Sequence, residues 1–282
     1  MSGRFAIVTD STADMGPLAA EAGVSVVPLT IRFGNEEFRD GIDLTSEQFY
    51  AMLATSPQPP ITAQPTPAAF EAEYRRILNE GAAEHVLSLH VSSALSGTFN
   101  SASLAASAVD PARISVVDTR SVSAGIAMLA IEARARFESG ASPAEVLEAL
   151  QADIPRVELF ATIPNLTYLA RGGRIGGLRG LLGNVLKIVP ILKVEDGAVA
   201  EQAKVRTFTR AVDQLVETAI AHIPVKGSAR VAILHSVAPD LAKSVGERMR
   251  AAVAPSSLIT CEIGPTVGTH AGPGAVGVCF IP

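Results

Sequence analysis

Residues 264–282 read GPTVGTHAGPGAVGVCFIP, and within them Gly272-Pro273-Gly274-Ala275-Val276-Gly277 matches G-x-G-x-x-G letter for letter. Taken as a dinucleotide fingerprint, the match would make the chain a Rossmann protein, so its reading decides the fold. That fingerprint needs a strand before it, a helix after it and an acidic residue about 20 positions further on. Only Val278-Cys279-Phe280-Ile281-Pro282 follow Gly277, too few for a helix, and apolar and branched in the manner of a final strand. The match is accidental, and the glycines instead permit a tight backbone path beside a ligand or another segment. What the stretch singles out is His270, set between two glycine-rich segments on a glycine-flexed turn.

Outward from this end, strand and helix signals alternate along the whole chain. Strands are expected at Phe5–Thr9, Val24–Ile31, His85–His90, Arg113–Val117, Val157–Ile163, Ile188–Val194, Ala229–His235, Leu258–Ile263 and Ala275–Ile281. Alternation of this kind predicts an α/β protein with largely parallel sheets. Thr45-Ser46-Glu47-Gln48 and Ser142-Pro143-Ala144-Glu145 are capping boxes, and Thr66-Pro67 opens a further helix. Phe70, Tyr74, Ile77 and Leu78 then recur on one helical face, as do Val212, Leu215, Val216, Ala219, Ile220 and Ile223 later; both stripes read as core contacts. No linker divides the chain. The best boundary lies at Ile154-Pro155-Arg156, giving two α/β domains, 1–155 and 156–282, the second contributing His270.

At 282 residues the chain has room for one large or two medium cores. A net charge of −5 without a basic block argues against a nucleic-acid partner. Met1-Ser2-Gly3-Arg4 leads directly into a strand and no apolar run approaches about 18 residues, so a cytoplasmic protein is expected. Cys261 and Cys279 sit in apolar runs and read as buried thiols. No histidine stands at metal-ligand spacing, and His85, His90 and His222 read as structural or solvated.

In open α/β sheets ligands collect beyond the carboxyl ends of strands. The residues there are Asp10-Ser11-Thr12, Ser92-Ser93-Ala94-Leu95-Ser96-Gly97-Thr98 and Asp118-Thr119-Arg120-Ser121, mostly small hydroxyls with aspartates. A helix beginning near Ser96 would offer unpaired N–H groups to a carboxylate or phosphate; alternatively Ser93 or Ser96 merely caps it. A nucleophilic serine with Asp118 and His270 is a third reading, although Leu95-Ser96-Gly97 lacks the first glycine of a G-x-S-x-G elbow. The stretch LTYLARGGRIGGLRGLLGNVLKIVPIL puts Arg171 and Arg174 around a glycine pair; the rest is apolar apart from Arg179 and Lys187, and could line a greasy cavity or form a surface helix.

Together these motifs resemble the DegV family of bacterial fatty-acid-binding proteins, the binding subunits of fatty acid kinase. The resemblance is carried, in order, by Thr9-Asp10-Ser11-Thr12, Phe38-Arg39-Asp40-Gly41-Ile42-Asp43-Leu44, Thr62-Ala63-Gln64-Pro65-Thr66, Ser92 to Thr98, Leu169 to Ile175, Val205-Arg206-Thr207 and Gly268 to Gly274. It implies two α/β domains with a lipid tunnel between them. It also implies a long-chain fatty acid as ligand, its carboxylate held by Thr62, Ser93 and His270 with Ser96, Gly97 and Arg171 nearby. A separate ATP-dependent kinase subunit would phosphorylate that carboxylate, docking at Arg206, and the acyl phosphate would pass to an acyltransferase or a membrane surface for phospholipid synthesis. No cofactor is implied. Ala63 departs from the family, which commonly has serine there. The chain has no G-x-x-x-x-G-K-[ST] loop, so phosphoryl transfer is assigned to the partner. A serine hydrolase or thioesterase, and a fatty-acid sensor or store without kinase coupling, are the alternatives.

Overall fold

A computed structural model describes residues 5–164, 166–176, 178 and 188–282; Met1–Arg4, Arg179 and Lys187 lie outside them. The chain runs β1 (Phe5–Asp10), α1 (Pro17–Glu21), β2 (Val24–Val27), β3 (Thr30–Phe33), β4 (Glu36–Arg39), α2 (Ser46–Thr55) and β5 (Ile61–Ala63). It continues through α3 (Pro67–Asn79), β6 (His85–His90), α4 (Thr98–Val109), β7 (Ile114–Asp118), α5 (Ala124–Glu138), α6 (Pro143–Asp153), β8 (Glu158–Thr162) and α7 (Thr167–Arg171). The remainder is β9 (Val189–Glu195), β10 (Ala198–Val205), α8 (Phe208–Ala221), β11 (Arg230–His235), α9 (Pro239–Val253), β12 (Ser257–Glu262), α10 (Pro265–Ala271) and β13 (Val276–Ile281).

One sheet has the order β2-β1-β6-β7 and is parallel throughout, as the alternation predicts. Parallel neighbours need long crossovers, and the helices supply them. The six-stranded sheet, β10-β9-β8-β13-β11-β12, departs from that expectation. Among the described residues only β11 and β12 run parallel, and the other four pairings are antiparallel. Two causes are visible. Asp196 and Gly197 both take positive φ, folding β9 and β10 into a tight hairpin, and β13 inserts between β8 and β11 after the α10 turn.

The expected strand over Val24–Ile31 is broken at Pro28-Leu29, where proline cannot donate to a ladder. Its second half becomes β3, the centre of a small antiparallel sheet β4-β3-β5 that holds Thr62 opposite Ile31. The helix starts behave as read. Thr45 with Gln48 and Ser142 with Glu145 form reciprocal capping boxes, and the Thr66 hydroxyl accepts the Ala69 N–H.

Helix α5 lies between the two larger sheets. Ala124 to Ala130 are buried on every side, the pattern of a helix with sheets on both faces rather than an amphipathic surface helix. Its side chains share one core with Ile7, Leu87 and Leu89 of the parallel sheet and Leu159, Leu234 and Cys279 of the mixed one. Both cysteines are buried and unpaired, and burial pushes the Cys261 thiol up to about 12. His90 is enclosed by Asp10 (2.9 Å) and the Ser88 hydroxyl (2.7 Å), a buried network beneath β1 and β6.

Candidate functional site

Along β8 the alternate residues Leu159, Ala161 and Ile163 face one side, and Leu192 and Val194 of β9 continue that face. Ala161 pairs with Leu192 on one side and Gly277 on the other, so small residues lie in the middle of the floor. A cavity of about 150 Å³ sits above it. Leu29, Val91 and Val122, from loops at the carboxyl ends of the first sheets, close it from above, and Val267 and Ala271 of α10 close one flank.

Polar groups gather where α10 meets the first half of the chain. Thr62 Oγ1 stands 3.2 Å from His270 Nε2, and Ser96 and Arg174 line the same cavity. Arg174 donates from Nη1 to the Gly172 carbonyl (2.8 Å) and from Nε to the Leu95 carbonyl (3.2 Å), tying the two halves together. Those bonds use two of the five guanidinium donors. Four segments distant in sequence thus supply one cluster.

Glycines make the cluster fit. A Cβ on Gly172 would overlap the His270 imidazole at Nδ1, so only glycine lets the ring lie against that backbone. Gly97 likewise leaves room for the Gln64 amide, which reaches on to Ser101 Oγ at 3.1 Å. A Cβ on Gly268 would meet the Tyr50 hydroxyl at 2.5 Å and Phe49 at 3.0 Å, so α10 packs closely on α2.

The stretch read as a flexed turn is a short helix opened by Pro265, and two carboxylates hold its start. Asp14 accepts the Gly264 N–H (2.9 Å), Asp40 accepts the Thr266 N–H (3.2 Å), and the Tyr50 hydroxyl donates to the Ile263 carbonyl (3.0 Å). Burial pushes Asp14 well above the usual carboxylate range. Burial also raises Asp40 to about 6, against the hydrogen bonds it receives from Thr266 and Ser11.

Burial, assisted by the adjacent Arg174 charge, lowers His270 to about 4. The imidazole is therefore neutral near pH 7, and its Nδ1 is buried without a hydrogen-bond partner among the described residues. A hydroxyl pair, a neutral imidazole and a guanidinium at the edge of an apolar cavity suit an anionic head group with an apolar tail.

The structure brings Thr62, His270 and Ser96 together and puts Gly97 behind them as the cap residue of α4. Ser96 serves twice, since its hydroxyl also accepts the Thr98 N–H (3.3 Å). Ser93 is exposed and outside the cavity wall, its N–H directed to Asp118 (3.3 Å). Arg171 is exposed at the end of α7, and Arg206 is exposed between β10 and α8. Among the described residues no hydrogen bond joins Ser93 or Ser96 to His270, as a nucleophile and its base would require. The sequence sets Arg171 and Arg174 on either side of the glycine pair; in the structure Arg174 lines the cavity and Arg171 does not. Among the described residues no group of three or more metal-ligating side chains is present, and no helix is long and apolar enough to cross a membrane.

The family profile described as uncharacterised protein, DegV family, matches residues 4–282. A DegV domain-containing protein of Deinococcus radiodurans is 38% identical over 287 residues, covering 99% of this chain and 98% of its own. A DegV family protein from Thermus thermophilus, solved for its fatty acid binding, superposes with a TM-score of 0.92 at 32% identity, covering 99% of both chains. DegV of Bacillus subtilis, a fatty acid binding protein, superposes at 0.89 with 28% identity and 99% coverage of both chains. With the profile spanning nearly every residue and a relative this similar over its full length, the chain belongs to the DegV family.

Proposed function

We propose that the protein binds a long-chain fatty acid, with the tail in the cavity over β8, β9 and β13 and the carboxylate against Thr62, Ser96, Arg174 and His270. The observation that carries this reading is the Thr62–His270 contact in the wall of a cavity lined mostly by apolar side chains. Fatty acid binding by the Thermus thermophilus and Bacillus subtilis proteins supports it. A tail of about 14 methylenes at about 0.8 kcal/mol each contributes on the order of 11 kcal/mol before ordering costs. The head group opposes this, because an unpaired buried carboxylate costs several kcal/mol. Hydroxyl and imidazole donors beside a guanidinium remove most of that penalty.

The carrier role is the second part of the proposal: the bound carboxylate is presented to a separate ATP-dependent fatty acid kinase and leaves as an acyl phosphate for phospholipid synthesis. Arg171 and Arg206, exposed and outside the cavity wall, are assigned to docking that partner. Ser93, exposed beside Asp118, is assigned to the presenting rim. The resemblance in sequence supports this part.

Mass spectrometry of small molecules extracted from the purified protein should return a long-chain fatty acid. His270→Ala and Thr62→Ala should each weaken acid binding about tenfold or more while the circular dichroism spectrum is unchanged. Wild-type affinity in both variants would refute the head-group assignment. Adding a cognate kinase subunit with ATP should give acyl phosphate, and its absence would favour a store or sensor.

A further inference from the structure

The cavity does not end against bulk core. A second concavity, a groove of about 640 Å³, wraps the lower ends of β8 and β9, and among the described residues the two share Leu159, Lys193 and Val194 in their linings. We propose that Leu159 and Val194 form a partition that stops the acyl tail and sets the longest chain the protein accepts. The proposal rests on the fatty-acid reading above and goes beyond it by naming the residues that select among acids.

Strand direction places this partition at the far end from the head group. β13 begins just after α10 and pairs antiparallel with β8, so Val276 lies opposite Thr162 and Phe280 opposite Glu158. The top of β8 is therefore beside the His270 helix, where Pro164 lies against Gly274. Leu159 is four residues below Ile163 on the same face, about 13 Å away at the usual strand rise. On β9 the register runs Thr162 with Ile191, Ala161 with Leu192 and Phe160 with Lys193, which puts Val194 level with Leu159. Both side chains thus stand side by side at the bottom of the floor.

Beyond them the groove is walled differently. Ile154, Pro155 and Val157 of the connection between the two larger sheets line it, together with Glu195, Asp196 and Gly197 of the β9–β10 turn. That turn is fastened to the first half of the chain. Arg120 pairs with Asp196 at 3.1 Å, and Gly197 leaves room for the Ser92 hydroxyl. The exposed ion pair adds little, and the close approach of Gly197 to Ser92 locates the hairpin end; the side chains of Leu159 and Val194, with Lys193 beside them, divide an apolar compartment from a more polar one. Leu159 is only 7% exposed, as expected of a side chain that forms the wall between the two. Shortening either side chain would join the compartments and give a longer tail somewhere to go.

The test is a binding series with laurate, myristate, palmitate, stearate, arachidate and behenate on wild type, Leu159→Ala, Val194→Ala and Leu234→Ala, each first checked by thermal melt. Leu234 lines the cavity but not the groove and serves as the control. In the wild type, affinity should climb by about tenfold per two-carbon step and then fall once the tail meets the partition. The optimum should move to a longer acid in Leu159→Ala and Val194→Ala, with about tenfold gain for the first acid beyond the wild-type optimum. Leu234→Ala should weaken the whole series without moving its optimum. Should Leu159→Ala fail to fold, Val194→Ala decides alone. An unmoved optimum in the folded partition variants, or an equal shift in Leu234→Ala, overturns the partition while leaving fatty acid binding intact. A wild type that binds no member of the series overturns the partition together with the reading beneath it.

Discussion

Gly172 and His270 form one unit, although 98 positions separate them. Replacing Gly172 with alanine forces a methyl group into the space of the imidazole, so the ring must leave its place beside Thr62 or the α7 turn must shift. Overpacking of this kind costs about 1 to 3 kcal/mol. We expect Gly172→Ala to lose about tenfold in fatty acid affinity, read by displacement of a fluorescent fatty acid, and to melt a few degrees lower. The imidazole also sets a pH dependence. In the ligand-free protein burial and Arg174 hold it at about 4, and a bound carboxylate favours the imidazolium. The complex therefore takes up protons that the free protein does not, so affinity should rise as pH falls from about 6.5, the ordinary histidine value, toward about 4. His270→Gln should flatten that profile; an unaltered slope would assign the proton to another group.

Helix α10 is too short to persist by its own hydrogen bonds, and its position comes from what holds it. Gly268 packs on α2, and Asp14 and Asp40 take the first N–H groups. Because the folded Asp40 sits at about 6, above an unfolded value of 3.8, the native state keeps its proton longer than the unfolded chain does. The stability it contributes is complete below about 4 and is lost as pH rises through about 6, on the order of 2 to 3 kcal/mol for this group alone. Asp14 is displaced in the same direction. Asp40→Asn, which keeps a carbonyl oxygen for the Thr266 N–H, should reduce the loss of stability between about pH 4 and pH 7 in urea titrations. An unchanged pH slope would remove Asp40 from the account.

Across the whole molecule, α5 makes the two larger sheets parts of one core. Its Ala127 and Ala130 are fully buried among residues of both, Phe5 stacks on Phe137 at 4.2 Å, and Glu132 pairs with Arg230 of β11. A shared core argues for joint unfolding, since exposing either sheet strips α5 of a partner. Calorimetry should give one transition. Ala130→Leu should lower that single transition, by about 1 to 3 kcal/mol, without splitting it. Two resolved transitions in the wild type would mean that the halves are stable separately.

Local chemistry was legible in the sequence wherever a residue acts through its near neighbours. The capping boxes, the buried stripes of α3 and α8 and the failure of the glycine fingerprint all follow from spacing within a dozen residues. The motif order pointed to the family for the same reason, because each motif is a short segment with its own conformational demand. Strand direction in the mixed sheet was not legible, since the alternation that marks a strand is the same whichever way it runs. β10 escaped notice because its half-exposed, alanine-rich stretch AVAEQAKV has no regular apolar–polar alternation and few strand-favouring residues. The cluster around Thr62 and His270 shows the limit most plainly. Thr62 and His270 could be named from their motifs, but that Arg174 and not Arg171 reaches the cavity, and that Ser96 lines it while Ser93 does not, depends on contacts between segments roughly 80 to 200 residues apart. Only packing decided those, because the direction in which a side chain points is set by the elements that close around it.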